Sequence, residues 1–223
     1  RFWRVPAWIL CVTLIFVHVG FTIVSRARAP KTVSFIFDTF YSTIEVDPAD
    51  DLTGKTLVVV NAPNPLLFLG MPLLRAYWNE PLPERTRLLA PAFAPLKITR
   101  TGEKTLLIEA QSGNILSTDK SRKDFKPNFA NFYYHFNSLF RPKDMPFKAG
   151  EKIELGDMSV NIISVDTDGQ PTRIRFDFDI SLDDPSMGWL QWNWKNSGFG
   201  SYSIFKIPPI GETSYTSGPF GDT

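Results

Sequence analysis

The chain is short of the residues that build most catalytic and metal centres. Its single cysteine, Cys11, lies within an apolar stretch near the N-terminus. An intrachain disulfide is therefore excluded, as are thiol catalysis and cysteine-ligated metals in the rest of the chain. There are two histidines, His18 and His135. That is too few for a multi-histidine metal site and a poor basis for a histidine-dependent triad. Charge of either sign is not in excess: 24 Lys and Arg against 23 Asp and Glu leave a net charge of +1. A nucleic-acid partner would call for a basic face, so none is expected. The chain contains no Asn-x-Ser/Thr sequon and no GxSxG, Walker-type, GxGxxG or HExxH pattern, and each of those absences removes a class of chemistry. No motif assigns the chain to a family.

What the sequence does have is aromatic residues, proline and one long apolar run. Aromatics make up 14%, including 19 Phe, and there are 18 Pro. Short strands separated by Pro and Gly turns give this composition. Residues 5–24 carry no formal charge. As a helix rising about 1.5 Å per residue they would extend about 30 Å, the hydrocarbon thickness of a bilayer. Pro6 falls in the first turn, where a helix tolerates it. Trp3, Arg4 and Trp8 at one end and Arg26 and Arg28 at the other are the expected membrane-interface residues. Ala27-Arg28-Ala29 has the small-x-small form of a signal-peptide cleavage site. The apolar run is too long for a signal core, however, and arginines crowd the site. Residues 1–31 are thus expected to be a single-pass transmembrane anchor with its flanks. Counting Lys and Arg on both sides slightly favours a cytoplasmic C-terminal side. The usual arrangement of a lone N-terminal anchor places the soluble domain outside the cytoplasm, in the periplasm, and that is the orientation expected here.

Residues 32–207 read as one β-rich soluble domain, a β-sandwich or barrel with one or two short helices; sub-lobes could divide it at 32–120 and 148–207. Strands are expected at 32–46, 55–61, 87–90, 96–100, 104–109, 151–155, 159–166, 172–180, 189–195 and 201–207. The run Leu57-Val58-Val59-Val60 is that of a strand buried on both faces. Asn64-Pro65 resembles a helix start, and the apolar segment 66–78 is expected to form short helical turns that pack on the core or touch the bilayer surface. Residues 208–223, rich in Pro, Gly, Ser and Thr, are expected to be an extended tail held only by a partner.

Several residue groups invite a functional reading. His18 is the one ionisable side chain within the apolar run. Such a residue could ligate a haem or chlorophyll-type pigment or contact a neighbouring helix, and it could also be satisfied locally. Phe129, Phe132, Phe136 and Phe140 fall on one helical face, suited to docking a partner subunit, to lying as an interfacial membrane helix or to packing on the protein's own sheet. Trp189, Trp192 and Trp194 form a second aromatic group, suited to anchoring a partner interface, to stacking on a sugar or to packing in the core; on a strand, Trp192 and Trp194 share a face and Trp189 opposes them. Asp177 and Asp179 also share a strand face, opposite Phe176, Phe178 and Ile180. That alternation explains them as a solvated face more simply than as a Ca²⁺ or acid–base site. Asp166-Thr167-Asp168-Gly169 is expected to be a turn.

These features together suggest a non-catalytic, membrane-anchored accessory subunit of a larger complex, respiratory or photosynthetic for example, whose partners are the lipid bilayer and other membrane protein subunits. Two alternatives are the C-terminal soluble domain of a multi-pass protein and a membrane-tethered hydrolase or sugar-binding protein that uses the aspartates and tryptophans.

Overall fold

The computed structural model describes residues 8, 12–28, 52–62, 65–91, 94–116, 144–194 and 201–218. The chain divides into two units, Arg1–Ser42 and Thr43–Thr223. In the first, residues 12–28 form a helix, α1, and every one of them is exposed. Among the described residues no helix is long and apolar enough to cross a membrane. The described part of α1 spans about 25 Å at the helical rise, and its last turn carries Arg26 and Arg28. The transmembrane expectation therefore stays with the sequence.

The second unit is mainly β. Among the described residues ten strands form two sheets. They are β1 (Thr56–Ala62), β2 (Arg85–Pro91), β3 (Leu96–Gly102), β4 (Thr105–Ala110), β5 (Lys152–Glu154), β6 (Met158–Val165), β7 (Pro171–Phe178), β8 (Met187–Asn193), β9 (Ser201–Ile204) and β10 (Thr213–Thr216). The six-stranded sheet has the order β10-β3-β4-β7-β6-β5 and is antiparallel throughout. The four-stranded sheet has the order β2-β1-β8-β9 and is mixed: β1 runs parallel to both β2 and β8, while β8 and β9 are antiparallel. A 13-residue helix, α2 (Pro65–Tyr77), makes the crossover from β1 to β2, as a parallel pair requires. Both sheets mix strands from the two halves of the sequence, so Thr43–Thr223 is one unit and the division into sub-lobes does not arise.

Two cores flank the four-stranded sheet. Val58 and Val60 of β1, Leu89 of β2 and Trp189 of β8 face the other sheet. There they meet Leu96 and Ile98 of β3, Leu106 and Ile108 of β4, and Ile174, Phe176 and Phe178 of β7. Leu57 and Val59 point the opposite way and join Met71 of α2, Leu190, Trp192 and Tyr202. Val58, Val59 and Val60 are all fully buried. This is the two-faced burial expected of that apolar run, and it follows from a central strand with a sheet on one side and a helix on the other.

The segment 66–78 is a longer helix than the short turns expected, despite Pro72 within it. Its end is firmly set. Asn79 adopts φ 58, Asn79 N–H donates to the Ala76 carbonyl (3.3 Å), and Glu80 N–H donates to the Arg75 carbonyl (2.9 Å). Together these make a Schellman closure with asparagine in the left-handed position. Within the segment expected to be a tail held only by a partner, residues 213–216 form β10, which the protein's own sheet holds. β10 pairs with β3, Thr99 and Thr213 hydroxyls meet at 2.9 Å, and Thr216 is buried. The strand expected at 32–46 lies outside the described residues.

Candidate functional site

The described residues offer few places for chemistry. Among them no group of three or more His, Cys, Asp or Glu could hold a metal ion. An open depression of about 630 Å³ is lined by Asp144, Met145, Pro146, Lys148, Ala149, Gly150 and Glu151. Within it, Glu151 Oε2 accepts from the Lys148 backbone N–H at 3.1 Å, which is turn-closing geometry rather than a reactive pair.

The aspartates singled out in the sequence serve the fold. The Asp177 carboxylate accepts from Thr105 Oγ1 (3.0 Å), Asn161 Nδ2 (2.8 Å) and Arg175 Nε (2.9 Å). It thereby pins β4, β6 and β7 together and has little capacity left for a ligand. Asp179 is exposed, and its carbonyl accepts from Lys104 Nζ at 2.6 Å. Asp166 closes the β6–β7 turn, accepting from the Asp168 and Gln170 backbone N–H groups (2.9 and 2.8 Å), so Asp166-Thr167-Asp168-Gly169 is a turn. Asp183 forms a two-pronged pair with Arg100, at 3.0 and 2.6 Å. The hydrogen bond from Arg100 holds the Asp183 carboxyl below the ordinary carboxylate range and raises the arginine in turn. Burial pushes the Asp157 carboxyl up, but the hydrogen bond from Arg87 and the charges of Arg87 and Arg85 outweigh it and leave Asp157 lowered. Hydrogen bonds from the Ser186 hydroxyl and backbone N–H lower Asp184.

The tryptophans divide as their strand spacing implies. Trp189 meets Phe178 edge-on at 5.6 Å in the inter-sheet core and donates its indole N–H to the Leu182 carbonyl at 3.1 Å. Trp192 lies on the opposite face, edge-on to Trp194 at 6.0 Å and to Tyr202 at 5.0 Å. Trp189 and Trp192 are 8% and 2% exposed. As partner contacts they are therefore corrected: burying such large rings in the protein's own cores leaves no face to offer a partner or a sugar. Trp194 is half-buried beside them. Phe129, Phe132, Phe136, Phe140 and His135 lie outside the described residues, as do Trp3 and Arg4.

Two surfaces remain distinctive, and both are apolar. The first is α1. Ile15, Phe16, Val17, Phe21 and Ile23 are 59–75% exposed, Trp8 is 71% exposed, and Arg26 and Arg28 close the helix. His18 is exposed within it, with its Nδ1 3.1 Å from the Leu14 carbonyl, and the Thr22 hydroxyl donates to the His18 carbonyl at 2.7 Å. One ring nitrogen is thus satisfied within the helix, and Nε2 is the atom that a pigment or a neighbouring helix would engage.

The second surface is the outer face of α2. Its inner face buries Met71, Leu74 and Arg75. Arg75 donates to the Pro81 carbonyl at 2.8 Å and lies 3.5 Å from Glu80, which neutralises the buried charge. Leu69, Leu73 and Tyr77, spaced four apart on the outer face, are 51%, 70% and 70% exposed, with Trp78 and Leu82 exposed nearby. The sequence shows this segment to be apolar, and that uniform apolarity carries no signal of which stripe faces outward. No family model, no curated protein and no solved structure matches the chain.

Proposed function

We propose that the chain is a membrane-anchored, non-catalytic accessory module: an apolar N-terminal helix ties a β-sandwich to a bilayer, where it assembles with other membrane protein subunits. The observation that carries this reading is α1, a helix whose large apolar side chains are exposed along its described length. Water would oppose such exposure at about 25 cal/mol per Å², while lipid or a neighbouring helix would relieve it. As sequence, the uncharged run from residue 5 to residue 24 has the number of residues that a span requires. The satisfied aspartates and buried tryptophans favour a scaffold over an enzyme. The soluble domain is placed on the extracytoplasmic side in this proposal.

The test is extraction of the full chain from native membranes in mild detergent, followed by sizing, mass spectrometry and an absorbance spectrum of the same peak. Stoichiometric co-migration with other subunits is the expected result, and visible absorbance would make His18 a pigment ligand. A lone 25.3 kDa species without a chromophore would refute the subunit role.

A further inference from the structure

We infer that the outer face of α2 is a second membrane contact, in which Leu69, Leu73, Tyr77 and the adjoining Trp78 seat at the boundary between lipid headgroups and acyl chains. This rests on the anchored reading above and adds to it a fixed orientation of the sandwich at the bilayer.

Three observations select lipid as the occupant. α2 contains no acidic residue, and its one basic residue, Arg75, is buried and neutralised on the inner face. The outer stripe therefore presents no charge that would have to be stripped of water on entering the interface. Tyr77 and Trp78 sit together at the C-terminal end of the stripe with rings edge-on at 5.1 Å. Both have an apolar body and one polar tip, the chemistry enriched at the headgroup level of membranes. The third observation is area. Four side chains 50–70% exposed amount to roughly 400 Å², taking about 150–250 Å² for a fully exposed aromatic and about half that for a leucine. A stable protein–protein contact needs about 800 Å² per partner, so the stripe is too small to hold a second protein by itself. It is large enough for an interfacial helix that need not supply all the affinity, because a chain already anchored in the same bilayer keeps it at high effective concentration.

The experiment uses the full chain with Cys11→Ser. A spin label is placed by Leu73→Cys, by Tyr77→Cys, or by Ile204→Cys as a control that is also 70% exposed. The labelled chains are reconstituted in phosphatidylcholine–phosphatidylglycerol vesicles and washed with alkaline carbonate, and accessibility to oxygen and to a water-soluble nickel chelate is then measured. The expected result is retention of all three chains, with an oxygen-to-nickel ratio several-fold higher at 73 and 77 than at 204. Retention with water-like ratios at 73 and 77 would overturn the lipid contact and leave the anchor standing. Labels shielded from both quenchers and broadened by a neighbouring label would overturn it in favour of a second copy of the chain. Loss of the chain in the wash would overturn the anchor and this contact with it.

Discussion

Replacing Asn61 by alanine should destabilise the sandwich far more than its small loss of volume implies. The parallel pairing of β1 with β8 runs from Thr56–Met187 to Val59–Leu190. Two residues further along β1, the Asn61 side chain takes over. The Trp192 backbone N–H donates to Asn61 Oδ1 at 2.7 Å, and Asn61 Nδ2 donates to the Trp192 carbonyl at 3.4 Å. The side-chain amide stands in for a peptide group at a position with 0% exposure. Alanine would strand both backbone groups of Trp192 where water does not reach. A buried group left without its partner costs about 1–3 kcal/mol. The longer second bond belongs at the low end of that range, so the total is about 2–4 kcal/mol. Aspartate would keep the acceptor but bury a carboxylate, and should fare no better. Guanidinium unfolding of the purified chain in mild detergent, followed by tryptophan fluorescence, measures the loss. A change below about 0.5 kcal/mol, the range of ordinary surface substitutions, would refute the assignment of Asn61 as a replacement rung of the ladder.

Tyr202→Phe should go the other way: the buried hydroxyl has no hydrogen-bond partner among the described residues, so its removal should leave stability unchanged or raise it by about 1 kcal/mol in the same unfolding assay, and a clear loss would contradict this. Burial raises the ionisation of Tyr202 above the ordinary tyrosine range. The unfolded chain therefore releases that proton first, and stability should be full below about pH 10 and fall above it in wild type, but not from this source in Tyr202→Phe. At the acid end, Asp157, Asp183 and Asp184 are all lowered in the fold. Their contribution should be complete above about pH 5 and lost as pH falls below the unfolded carboxylate value near 4, with a shallower acid slope in Asp157→Asn. Gly169→Ala should cost about 2 kcal/mol or more, because φ is +71 and a Cβ there would run into the Pro146 side chain, whereas Gly54→Ala, with similar φ and open space, should cost about 1 kcal/mol; equal losses in thermal unfolding would contradict the contact.

Much of the architecture was legible because period-2 and apolar-run patterns report burial directly. The run at 57–60 marked a central strand, and the opposed faces of Trp189 and Trp192 followed from alternation alone. The parallel pairing of β1 with β2 and β8 was not legible. Pattern within a strand says which side is buried but not which strand lies beside it, and Pro72 with the uniform apolarity of 66–78 hides a complete helix behind the short turns that the sequence predicts. The pairing of β10 with β3 was hidden for a related reason: a stretch rich in Pro, Gly, Ser and Thr has little hydrophobic pattern, and its hold comes from backbone bonds and from Thr99 and Thr213. For the candidate sites, composition points away from metal and triad chemistry. It could not reveal that Asp177 is occupied by three donors from β4, β6 and β7, because those partners are distant in sequence. Nor could it separate the two faces of α2 until the position of Met71 against the second core was known.

The claim on which the account turns is that α1 anchors the chain, and alkaline carbonate extraction of membranes carrying the full chain tests it most directly. Wild type should remain in the membrane fraction and float with lipid. A chain with Ile15→Arg and Val19→Arg should be released, since each arginine near a span's centre costs about 2.5–3.5 kcal/mol on insertion scales. Release of the wild-type chain into the supernatant, or equal retention of the two, would contradict the anchor.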